Sequence, residues 1–231
     1  MKEAIRNAKA IIFDLFHTLV SFVSSKTPGR HTSEILGVPQ DQWNDLLFHS
    51  SEERLRGKIK DPVEIIGGLA RKIKPEISDE IIREAAKARV ERFRRCLVDV
   101  DEELLNVLSV LRSHGKRIGL ISNADVTEVA GWKESSLREL FDTAVFSCHV
   151  GYVKPEKEIY EECLRTLEVS PEEAIFVGDG GSNELKGAKA LGMTTVMTTG
   201  IIEKIWPEKI DERKDFADYI IRDLKELDIS T

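Results

Sequence analysis

Short apolar runs bounded by turn residues recur along this 231-residue chain, at Ala10 to Phe13, Arg117 to Ile121, Thr143 to Phe146, Ala174 to Val177 and Thr194 to Met197. Runs this short, rich in Ile, Val and Phe, read as strands. The intervals around the later runs are helical in pattern. Leu104, Leu105, Leu108 and Leu111 recur at helical spacing ahead of Gly115, which suits a helix C-terminus. The stretch from Asn123 to Phe141 is less regular but long enough for a helix. Pro155 can start a third, with Ile159, Cys163, Leu164 and Leu167 on its apolar face, and a fourth runs from about Asn183 to Leu191 and stops at Gly192. Strands alternating with helices imply right-handed crossovers and an α/β fold, a parallel sheet covered on both faces. A last strand is expected at Tyr219 to Ile221, after a segment from Gly200 to Ala217 whose few apolar positions suggest a surface excursion over the sheet edge.

Residues 21–98 break the alternation, with no convincing strand and helix following helix. The last of these helices, from Ser78 to about Leu97, aligns Ile82, Ala85, Ala86, Arg89, Val90, Phe93 and Leu97 in one stripe. An inserted helical bundle is the reading, dividing the chain into a core of residues 1–20 and 99–231 and an insertion of 21–98. The length allows a core domain and a smaller insert without a metal or disulfide staple.

The formal net charge is −7 with Lys and Arg dispersed, which argues against a nucleic-acid binder and for small-molecule partners. Cys96, Cys148 and Cys163 form no C-x-x-C pair and read as reduced, buried thiols. The first ten residues hold no apolar run of signal-peptide length, and no stretch approaches the roughly 18 apolar residues of a membrane span, so a cytoplasmic location without membrane association is expected.

In an open parallel sheet, ligands bind beyond the carboxyl ends of the strands. Asp14 directly follows the first strand, Ser122 and Asn123 follow the second, Lys154 lies after the third, and Asp179 follows the fourth. Each has an ordinary reading as a cap, turn former or solvated lysine. Their arrival at four successive strand ends makes coincidence the poorer account.

The segments that carry these residues resemble the four motifs of the haloacid dehalogenase superfamily, in order: FDLFHTLV with Asp14 and Thr18, ISN with Ser122, GYVKPEKEIY with Lys154, and VGDGGSNELKGAKALGM with Asp179. The insertion is similar to the small helical cap of the family's dehalogenase-like and phosphoglucomutase-like branches. The resemblance implies a Rossmann-like, three-layer α/β/α core under a mobile lid. It also implies Mg²⁺ held by Asp14, Asp179 and the backbone carbonyl of Phe16, and an aspartyl-phosphate formed on Asp14. Lys154 would neutralise charge, while Ser122, Asn123, Thr18 and backbone amides after Asp14 would hold the phosphate of a small phosphorylated molecule. Glu184 either orders a metal-bound water from behind the metal or is a first-turn glutamate favoured by the helix dipole. Gly178, Gly180 and Gly181 suit a tight loop with close backbone approach. The chain would act as a monomer or a homodimer.

One position departs from the family's phosphatases, which carry a second aspartate two residues after the nucleophile to protonate the leaving group; here it is Phe16. Loss of a general acid typically costs 10²- to 10⁴-fold in rate, roughly 3 to 5 kcal/mol. Three readings stay open. The first is a phosphatase for good leaving groups, or one that borrows its acid from His17, Arg30, His31, His49, Arg54 or the substrate. The second is a 2-haloacid dehalogenase, whose nucleophile is also followed two positions later by an aromatic residue but which lacks the Gly178–Asp179 pair. The third is a phosphate-binding protein with negligible turnover.

Overall fold

The computed structural model describes residues 1–21 and 29–230; positions 22–28 of the expected insertion lie outside the described residues. The strands form as β1 (Ala10–Phe13), β2 (Arg117–Ser122), β3 (Thr143–Phe146), β4 (Ala174–Gly178), β5 (Thr194–Thr198) and β6 (Tyr219–Ile221). All pair in parallel, in the order β3-β2-β1-β4-β5-β6. Helix α1 (Lys2–Asn7) precedes β1; α2 (Thr32–Leu36), α3 (Gln40–His49), α4 (Glu52–Leu55), α5 (Pro62–Ile73) and α6 (Asp79–Val98) follow it. The sheet's other helices are α7 (Glu102–Ser113), α8 (Val126–Val129), α9 (Ser147–Val150), α10 (Lys157–Leu167), α11 (Glu184–Ala190), α12 (Ile202–Ile205) and α13 (Ile210–Arg213).

The chain moves outward from β1 to β3 on one side and from β4 to β6 on the other. That reversal beside β1 opens the crevice in which α/β folds bind ligands. Side chains alternate across the sheet. Ile11, Phe13, Leu120 and Val177 pack on one face with Ile5 of α1 and Leu104, Leu108 and Leu111 of α7. Ile12, Ile121 and Phe176 pack on the other with Ile159, Tyr160 and Cys163 of α10 and Leu185 and Ala188 of α11. Burial on both faces is why these strands read as continuous apolar runs.

Helices α2, α3, α5 and α6 surround a separate apolar centre that includes Leu36, Trp43, Ile66, Ile82 and Ala86. Local signals place them: Asp61 caps α5 by accepting from the Val63 and Glu64 amides ahead of Pro62 at its first turn, and Ser78 caps α6 by accepting from the Ile81 amide. The α6 stripe buries Ile82, Ala85, Ala86, Arg89, Phe93 and Leu97 as expected, with Cys96 buried and Val90 only half-buried.

This helical unit docks through charge. Arg54 Nη1 donates to Asp125 Oδ2 (2.6 Å), Arg89 Nη2 to Glu128 Oε1 (2.6 Å) and Arg89 Nε to Thr127 Oγ1 (3.0 Å). Arg56 forms a fork on Glu156 (2.6 and 2.9 Å) and also donates to the Gly151 carbonyl (3.0 Å). The first set is dry, with the Asp125 side chain fully buried and those of Arg54 and Arg89 below a tenth exposed.

Two expectations need correcting. Asn123 to Phe141 forms no long helix: after α8 the chain runs through 3-10 turns at Trp132–Glu134 and Ser136–Leu140. Trp132 is drawn edge-on between Phe141 (5.8 Å) and Phe146 (5.4 Å), and the Ser135 side chain restarts the backbone by accepting from the Leu137 amide. The helix after Pro155 begins at Lys157, where Glu156 is instead its cap position.

Candidate active site

Asp14 is placed by the sheet itself. Its amide continues the β1–β4 ladder by donating to the Val177 carbonyl (2.9 Å), and its carboxylate stands at the crevice with 6% exposure. The next residues fold tightly: the Leu19 and Val20 amides both donate to the Leu15 carbonyl (2.9 and 3.1 Å), and His17 takes a left-handed φ of 65°. The turn brings Thr18 Oγ1 to donate to Asp14 Oδ2 (2.9 Å) and sets Phe16 edge-on against Phe93 of α6, with centroids 5.4 Å apart.

The Lys154 ammonium is buried and spends its donors on Asp14 Oδ1 (2.5 Å), Glu184 Oε2 (2.5 Å) and the Ile121 carbonyl (3.2 Å). Asn123 holds this lysine's backbone: Nδ2 donates to the Lys154 carbonyl (3.0 Å) and Oδ1 accepts from the Lys154 amide (2.7 Å). The side-chain amide expected on the phosphate is therefore engaged with the lysine loop, because the loops after β2 and β3 meet there. Ser122, the last residue of β2, is 1% exposed at the same edge.

Asp179 follows β4, and Gly181 N donates to its Oδ1 (2.8 Å). Glu184 opens α11 wholly buried, accepting from Gly180 N at Oε1 (3.0 Å). Gly178 makes room for it, since a Cβ there would lie 2.2 Å from Glu184 Oε1. Asp14, Asp179 and Glu184 each offer an oxygen, and these lie within 4.8 Å of one another.

Charge in this dry cluster is under strain. Burial pushes the Asp14 carboxyl up, Lys154 opposes it and Asp179 adds to the rise. Burial, then the charge of Asp14, pushes Glu184 well above the carboxylate range against the pull of Lys154. Burial alone would lower Lys154, but Asp14 and Glu184 outweigh it and keep the ammonium protonated. A compact set of buried carboxylate oxygens, with no thiolate or imidazole among the clustered groups, fits a hard divalent cation such as Mg²⁺, which would relieve this repulsion.

The expected substitute acids are dispersed. Burial pushes His17 down toward the neutral imidazole even though Asp179 and Asp14 are near. Arg30 pairs with Glu84 on the exposed surface, exposed His49 bonds the Asp45 carbonyl, His31 caps α2, and Arg54 is engaged with Asp125. Sequence reasoning missed two neighbours in the 200–217 excursion. Trp206 packs edge-on against the His17 ring (4.8 Å), and Arg213 Nη1 donates to Asp179 Oδ2 (2.6 Å). Trp206, a lone tryptophan followed by Pro207 in a largely polar stretch, is the local signal.

A capped parallel α/β sheet whose central strand ends in a buried carboxylate, paired with a lysine and two further acids, defines a class of hydrolase. The match to the haloacid dehalogenase-like hydrolase family covers residues 8–192, and the chain belongs to that family. It is 26% identical over 220 residues to a glyceraldehyde 3-phosphate phosphatase of Methanopyrus kandleri, covering 90% of this chain and 91% of that one. It also matches rat bifunctional epoxide hydrolase 2 at 27% identity over 180 residues, 73% of this chain, and spans about a third (32%) of that relative's length. Two solved structures share the fold: a haloacid dehalogenase-family phosphatase from Thermococcus onnurineus (TM-score 0.59, 23% identity, 95% of both chains) and a 2-haloacid dehalogenase from Pseudomonas syringae (TM-score 0.65, 20% identity, 95% and 96%). Among the described residues, no helix is long and apolar enough to cross a membrane.

Proposed function

We propose that this hydrolase is a Mg²⁺-dependent phosphatase acting on a small phosphorylated metabolite. The observation that carries the reading is the cluster of Asp14, Asp179 and Glu184, two of which, Asp14 and Glu184, pair with Lys154. A metal-free dehalogenase has no use for the Gly178–Asp179 pair, whereas attack on an anionic phosphoryl group by a carboxylate calls for a cation to offset the repulsion. The phosphatase relative that matches nearly the whole chain supports the same reading and makes glyceraldehyde 3-phosphate the first substrate to test.

Asp14 attacks phosphorus through a carboxylate oxygen as the bond to the leaving oxygen breaks, forming an aspartyl-phosphate. Water then attacks phosphorus, releasing phosphate and restoring the carboxylate. Thr18 holds one Asp14 oxygen and Lys154 the other, which leaves little freedom for rotation. Asp14, Asp179 and the Phe16 carbonyl would hold Mg²⁺, with Glu184 as a further acid of the cluster, and the cation would supply Lewis-acid polarisation of the phosphoryl group. Ser122 and backbone amides of the Asp14 loop donate to the phosphate oxygens, and Asn123 acts by placing Lys154.

With Phe16 in the place of the acid, substrates whose leaving group needs no proton are favoured. Acetyl phosphate and p-nitrophenyl phosphate are expected to turn over faster than sugar phosphates, and EDTA to stop all of them; halide release from L-2-chloropropionate in EDTA would instead establish the dehalogenase reading, which Phe16 favours. Phe16→Asp is expected to raise kcat/KM for alkyl phosphates by about 10- to 100-fold, short of the full effect of a positioned acid. Steady-state kinetics on a sugar phosphate checks this, and no gain would mean that the proton already comes from elsewhere.

A further inference from the structure

Arg213, the last residue of α13, takes no part in the steps above, yet its side chain is only 17% exposed and ends on Asp179. Nη1 donates to Asp179 Oδ2 at 2.6 Å and lies 3.4 Å from the Asp179 carbonyl. The stem passes over Gly180, where a Cβ would stand 2.8 Å from Arg213 Cβ and where φ is 83°. Lys154 forms its ion pairs with Asp14 and Glu184, so the two cations divide the three carboxylates between them.

We infer that Arg213 sets the charge balance of this site, trading metal affinity for affinity toward an anionic substrate. The inference rests on the phosphatase reading above. Where a bound divalent cation keeps every carboxyl ionised, three carboxylates against Lys154 contribute a double negative charge, and Arg213 reduces it to one. A divalent cation then makes the loaded site positive by one charge, suited to a phosphate dianion. Without Arg213, the loaded site would be neutral. Acting through Asp179, Arg213 is a positioning and charge-balancing residue, and the signs of its effects on cation and anion must be opposite.

Calorimetric titration separates these effects, using Mg²⁺ on the metal-free protein and inorganic phosphate on the Mg²⁺-saturated protein, for wild type, Arg213→Met and Arg213→Lys. Arg213→Met is expected to bind Mg²⁺ several-fold more tightly than wild type and phosphate about tenfold more weakly, by loss of one nearby charge. Arg213→Lys, which keeps the charge without the planar fork, should restore phosphate binding. Unchanged phosphate affinity in Arg213→Met, or a joint loss of Mg²⁺ and phosphate that lysine does not rescue, would overturn the inference alone. Wild-type protein that takes up no Mg²⁺ would overturn the phosphatase reading, and the inference with it.

Discussion

Asp14→Asn is expected to lower phosphate release by about 10⁴-fold or more, as loss of an attacking group does in covalent catalysis. The asparagine would fit the space, so the fold should persist. The Asp14 carboxylate, however, accepts from Lys154 on one oxygen and from Thr18 on the other, and an amide can offer only one acceptor. The variant loses the nucleophile, a counter-charge for Lys154 and a cation ligand together. Phosphate release under saturating Mg²⁺, with circular dichroism to confirm folding, checks the outcome. Trapping a phosphorylated protein at early times in wild type and not in the variant assigns the loss to attack rather than binding. Activity within a hundredfold of wild type would remove Asp14 from the nucleophile role.

The second large effect concerns stability and lies where the helical unit meets the core. Asp125→Asn should destabilise the protein by about 3–5 kcal/mol, the cost of breaking a buried ion pair and leaving a partner uncompensated. A large part of a domain's net stability of roughly 5–15 kcal/mol is then at stake. Asp125 also caps α8 by accepting from the Thr127 amide (2.8 Å), so Asp125→Ala should lose about 1 kcal/mol more than Asp125→Asn. Combining Arg54→Met with Asp125→Asn should cost less than the sum of the single changes, since neither charge is then left alone. Urea unfolding measures all three.

The Asp125 contribution should also depend on pH. Burial alone would raise this carboxyl, but Arg89 and Arg54 outweigh it and hold it below its ordinary value. A group whose folded pKa is depressed stabilises the fold above its unfolded pKa and loses that contribution as pH falls through the folded value. The gap between wild type and Asp125→Asn should therefore be full at neutral pH and narrow on acidification, below the ordinary carboxylate range. A gap independent of pH would mean that packing, not charge, sets the cost.

Much of this was legible in the order of residues because parallel strands buried on both faces must be apolar throughout, and turn residues must punctuate them. Ala10 to Phe13 and Thr143 to Phe146 are strands within the very bounds their apolar runs suggest. The rule that ligands gather at carboxyl ends then brought Asp14, Ser122, Lys154 and Asp179 to one edge without any knowledge of their distances. Trp132 was harder: a periodicity argument sees a helix-length interval, and only the tertiary pull of Phe141 and Phe146 breaks it into short turns.

By itself, then, the sequence determined the α/β alternation, the inserted helices and the residue types at the strand ends, since these follow from local periodicity and from where each strand stops. Tertiary structure alone decided how those residues share their bonds. Asn123 went to the lysine backbone instead of outward because two loops meet there, and Glu184 came within reach of Lys154 because Gly178 leaves space for it. Arg213 closed on Asp179 from a segment that reads as plain surface, 34 residues away along the chain. Contacts of that separation depend on how the sheet twists and where its connections lie, which no local pattern encodes. For the same reason the charge balance around Asp14 is a property of the folded chain.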